Sequence, residues 1–133
     1  MQYAVLFLVT ASVFALIDMV WLKLMNQFYK AKLGDLLLKT PNLAAAVVFY
    51  VIYVVGMSIF AVDPALDQQN WIVAAGYGAM LGLVAYATYD LTNLATLKKW
   101  SRTVVLVDIV WGVFVTATAS TIAYVILSAW FGL

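Results

Sequence analysis

The stretch Tyr3–Leu24, YAVLFLVTASVFALIDMVWLKL, decides the fold. It is apolar almost throughout, and it has about the 20 residues that a helix needs to cross the hydrocarbon core of a bilayer. Near its end sits an acid, Asp18, three residues before Trp21. The stretch has no basic start, and its apolar run is too long for a cleaved leader, so it is expected to remain as a membrane helix. Three further runs follow at Leu43–Val62, Trp71–Leu94 and Val104–Phe131. The breaks between them are polar: a segment with Lys30, Lys32, Gly34, Asp35 and Lys39; then DPALDQQN at Asp63–Asn70; then LKKWSR at Leu97–Arg102. Pro41 suits the start of a helix, where a missing N–H costs nothing. Backbone in lipid must satisfy its own hydrogen bonds, so runs of this length without alternation are helices and not strands. The expected architecture is all-α: a polytopic four-helix membrane bundle forming one domain over residues 1–133, with an interfacial loop segment after the first helix.

Composition agrees. The chain is 67% hydrophobic and 10% charged, with a mean hydropathy of +1.04; a soluble domain carries about a quarter charged residues. There is no Cys, which removes disulfides and thiolate chemistry, and no His, which removes the commonest metal ligand and general base. No cofactor, no metal site and no nucleic-acid partner are expected. All seven Lys and Arg fall on one side, Lys23 at the end of the first run and the other six in the first and third connections, and the middle connection carries only Asp63 and Asp67. The positive-inside rule places the basic connections in the cytoplasm and both termini outside.

That topology gives the acids a depth. Asp18 lies five residues before Lys23, Asp90 eight before Lys98, and Asp108 six after Arg102. At ~1.5 Å per residue all three are roughly 7–12 Å inside the same boundary, on three different helices. Facing lipid, they would together cost about 7–10 kcal/mol on insertion scales, comparable to a domain's whole stability. They are therefore expected to converge on one polar site inside the bundle, with Asn93, Trp111, Tyr50, Tyr53 and Thr116 as neighbours. Trp111, too deep for the interfacial belt, needs a partner for its N–H. The word D-x-V-W occurs twice, at Asp18–Trp21 and Asp108–Trp111. Both copies sit at the basic side, so no inverted repeat about the bilayer midplane relates them. On the last helix Asp108, Gly112, Thr116 and Ser120 recur every fourth residue; on the third, Gly78 and Gly82 form G-x-x-x-G, a pattern for close helix approach. The segment Phe28–Leu38 mixes lysines with leucines and aromatics, and is expected to be partly helical and to lie along the inner interface.

The stretches FYVIYVVGMSIFAV, GLVAYATYDLTNLATLKKW and VDIVWG resemble an uncharacterised bacterial integral-membrane family of about this length. The resemblance implies a four-helix protein of the bacterial inner membrane, with no assigned reaction and a lipid-linked role. From the residues, three functional classes compete. The first is a binding or transport module for a proton, a cation or a lipid-related solute, for which a homodimer would give more room. The second is a membrane enzyme of lipid metabolism that uses the carboxylates as acid and base. The third is an accessory protein whose acids only join helices. Membrane lipids are expected partners in all three.

Overall fold

The computed structural model describes residues 1–133, which are helical with no strands. α1 spans Gln2–Leu33 and is followed by a 3-10 turn at Gly34–Leu36. α2 (Leu43–Met57) continues through a π-helical turn (Ser58–Val62) into the short α3 (Asp63–Gln68). α4 is Trp71–Thr96 and α5 is Arg102–Trp130. Four stretches are long and apolar enough to cross a membrane: Gln2–Leu36, Leu43–Gln68, Trp71–Thr96 and Arg102–Trp130.

The helices outlast the apolar runs. α1 has 32 residues, about 48 Å at 1.5 Å per residue, well beyond a ~30 Å hydrocarbon core. Nothing between Leu24 and Leu33 breaks a helix; the chain turns only at Gly34, whose φ of 49° suits a residue without Cβ. The helical content expected in Phe28–Leu38 is present, as the last turns of α1 and the 3-10 turn. Asp63–Asn70 behaves alike. Its first six residues are α3, and only Gln69, in the left-handed region at φ 51°, and Asn70 connect to α4. Pro64 lies in this continuous span. It cannot donate to the preceding turn, and the π turn just before it, where the Asp63 N–H bonds the Ser58 carbonyl, widens the helix there. Asn42, Asn70 and Ser101 cap α2, α4 and α5 through their side chains.

α4 and α5 form the closest seam. α4 buries Ala74, Gly78, Gly82 and Asp90, all on one face at intervals of four or eight residues. Opposite them are Gly112, Thr116 and Ser120. A Cβ on Gly82 would stand 2.1 Å from the Gly112 carbonyl oxygen, and one on Gly78 would stand 2.8 Å from that of Thr116. Hydrogen at these two positions is therefore a condition of the packing. The polar stripe of α5 is mainly this seam. α1 packs on α5, α2 packs on α1, and the π turn touches α1, α4 and α5. One core cluster, including Leu6, Val62, Leu66, Ala74 and Leu127, closes the end that holds both termini. A second, of Phe14, Tyr53, Val54, Met57, Val115 and Ala119, fills the middle. Toward the basic end the packing opens.

Candidate functional site

At the basic end a cavity of about 1030 Å³ lies between α1, α2, α4 and α5. The segment Gly34–Asn42 contributes Leu36, Leu37 and Leu38 to its wall, so this chain folds back beneath the bundle. Lys30 and Lys39 are also on the lining.

Two carboxylates face this space, each held by side chains from another helix. Asp18 is buried and accepts hydrogen bonds from the Trp111 indole N–H, at 3.2 Å to Oδ1, and from the Tyr50 hydroxyl on Oδ2. Asp108 accepts one from the Tyr29 hydroxyl on Oδ1, and Tyr29 in turn accepts from the Trp21 indole N–H at 3.2 Å. Trp21 and Trp111 lie face to face, their ring centroids 4.1 Å apart and their planes 6° from parallel. The two D-x-V-W words are thus interlocked. Trp111 bonds the aspartate of the first word directly, and Trp21 reaches the aspartate of the second through Tyr29. An indole or phenol buried in apolar surroundings needs a partner for its polar atom, and a carboxylate offers about four lone-pair sites, so each group satisfies the other.

Asp90 is placed differently. It is completely buried on the seam face of α4, beside Asp108 and Trp100, and does not line the cavity. Neither of its carboxyl oxygens has a hydrogen-bond partner, and neither has the Trp100 indole N–H. No three acidic side chains stand close enough to share one metal ion.

Of the residues singled out in the sequence, Asp18, Asp108, Trp111 and Tyr50 come together on the cavity wall. Tyr53 and Thr116 are buried deeper and bond to each other, hydroxyl to hydroxyl, at 2.7 Å. Asn93 is half-buried on α4 and its backbone carbonyl accepts from Leu97 at the helix end. Tyr29, Tyr86 and Trp100, which the sequence did not single out, also line the cavity, together with Tyr89 and with Trp21 of the first D-x-V-W word. Tyr29 stands eight residues past Trp21, about two helical turns. Continuing the helix to Gly34 would have brought it to this end of the bundle.

Fold and site together define a class: an all-α polytopic membrane protein, closed at one end and opening at the other into a carboxylate-bearing aromatic cavity. Residues 3–125 match the model of a family described as a predicted membrane protein (DUF2177), and the chain belongs to that family. No curated protein and no solved structure matches the chain.

Proposed function

We propose that this protein is a membrane-embedded binding module for a positively charged ammonium solute. The observation that carries the reading is the joint lining of one cavity by Asp18 and Asp108 and by the rings of Trp21, Trp111, Trp100 and Tyr86. Carboxylates supply the opposite charge. Aromatic faces attract a weakly hydrated cation by about 0.5–2 kcal/mol each, so the combination selects an organic ammonium over a hydrated metal ion. The bonds from Tyr50, Trp111 and Tyr29 orient both carboxylates and leave further lone pairs for a ligand. The proposed setting is the bacterial inner membrane, with the basic end in the cytoplasm, because seven of seven Lys and Arg lie at that end.

Titration with choline of the purified protein in nanodiscs, followed by tryptophan fluorescence, tests the reading. Saturable binding is expected, weakened by about tenfold or more, a loss of about 1.4 kcal/mol, in Asp18→Asn and in Asp108→Asn. The uncharged isostere 3,3-dimethylbutanol should not bind. Equal binding of the isostere, or indifference to both substitutions, overturns the proposal. The native chain has no cysteine, so single cysteines at Lys32 and Lys99 test orientation directly. Both should be shielded from an impermeant thiol reagent in intact cells, and labelling of both reverses the topology.

A further inference from the structure

α2 and α4 stand apart near the basic end. α2 is seated on α1 and α4 on α5, and the two are joined by the π turn and by the edge-to-face pair Tyr53–Tyr86, with centroids 6.2 Å apart. On the basic side of that pair lies a second space of about 330 Å³, lined by Phe49, Ala85, Tyr86, Tyr89 and Asp108. Its size is at the low end of the roughly 300–1,000 Å³ typical of small-ligand pockets. Four of these five residues, all but Ala85, also line the large cavity, so the two spaces share a wall and the Asp108 carboxylate. Phe49 and Tyr89 remain 48% and 57% exposed. On α2, Leu43, Val47, Val48, Val51 and Ile52 are exposed and apolar, the kind of surface that a membrane span turns toward lipid. The Tyr86 ring lies against Gly112, where a Cβ would stand 2.2 Å from it, and this holds the ring as the partition between the two spaces.

We infer that the gap between α2 and α4 is a lateral opening that takes the alkyl chain of a membrane amphiphile whose ammonium head sits at Asp18 and Asp108. The inference rests on the cation-binding reading above and adds the class of ligand to it. An apolar slot that faces lipid on one side and meets a carboxylate on the other fits one molecule with both characters. A water-soluble ammonium ion would leave the slot unused.

The test compares choline with dodecyltrimethylammonium, which carries the same head with an alkyl chain, on the full chain in nanodiscs of phosphatidylglycerol. Ala85→Trp fills the slot and leaves the carboxylates in place. The expected result is a gain in apparent affinity from the chain that falls by about tenfold or more in Ala85→Trp, while choline binding is unchanged. If Ala85→Trp keeps the whole gain, the tail lies elsewhere and the inference is overturned. If choline does not bind the unaltered protein, the cation-binding reading itself fails; if choline binds and the chain adds nothing beyond its bilayer partitioning, only the lateral opening fails. A second measurement avoids substitution. A dodecyltrimethylammonium with a diazirine in its chain should label the unaltered protein around Phe49 and Ala85–Tyr89. Labels spread evenly over the lipid-facing helices overturn the inference, and so does protection of those residues in a dimer, which would assign the gap to a second copy of the chain.

Discussion

The two ends of this bundle are built on different principles. At the end with the termini, Ala65, Ala74 and Ala123 join Leu6, Val62 and Leu127 in one core cluster almost wholly shut off from the surface. At the basic end the helices separate around a cavity and are tied by hydrogen bonds from Tyr50, Trp111 and Tyr29 to two aspartates. In lipid there is little hydrophobic drive between helices, since the solvent is as apolar as leucine. Helices then associate where small residues allow backbone approach, or where polar groups find one another. This chain uses the first means at one end and the second at the other, with the glycine seam running between.

Substitutions should separate the two means. The largest effect is expected at the seam. Gly82→Leu pushes a side chain into the Gly112 carbonyl, which a Cβ alone would approach to 2.1 Å, and should prevent assembly, read as loss of monodisperse protein on size exclusion. Gly82→Ala should cost about 1–3 kcal/mol in reversible unfolding. Gly76→Ala on the same helix meets nothing within 4 Å and should be neutral or stabilising by about 0.5–1 kcal/mol, through helix propensity. Equal effects at the two glycines would remove the seam from the account. Phe14 comes next. It is fully buried and packs on the rings of Tyr50 and Tyr53, with centroids 5.7 and 5.3 Å away. Phe14→Ala should cost about 3–5 kcal/mol in unfolding measurements. A smaller loss, about 1–3 kcal/mol, is expected for Tyr29→Phe, which removes the hydroxyl bonded to Asp108 without changing the ring. The smallest term is the stack: a double-mutant cycle on Trp21 and Trp111 should give a coupling of about 0.5–1.5 kcal/mol. A coupling near zero would mean that the stack adds nothing to the hydrogen bonds and apolar contacts that tie α1 to α5.

The closed end was the more legible in the sequence. Apolar length fixed the number of spans, and Gly78-x-x-x-Gly82 pointed to the close contact of α4. The level of Asp18, Asp90 and Asp108 followed from their distance to the basic residues, but level is only one coordinate. Asp90 is fully buried on the face of α4 that carries Gly78 and Gly82, and the signal for that face was present. Counting by fours from Gly78 and Gly82 arrives at Tyr86 and then Asp90, which puts that acid on the seam face. The open end was harder to read because hydropathy marks where apolar sequence stops, not where a helix stops. Tyr29 and Lys30 lie beyond the first mark and inside α1. Trp100 lies in a connection, where side-chain direction has no periodicity to betray it.

The pairing of Trp21 with Trp111 has a consequence for measurement. Two indoles 4.1 Å apart with their planes nearly parallel share their electronic excitation, and wherever the long axis of one ring is twisted in plane against the other, their strong far-ultraviolet transitions split into circular-dichroism bands of opposite sign. One partner stands on the first span and the other on the last. The amplitude of that couplet therefore reports, without a label, whether the two ends of the polypeptide have met in the bilayer.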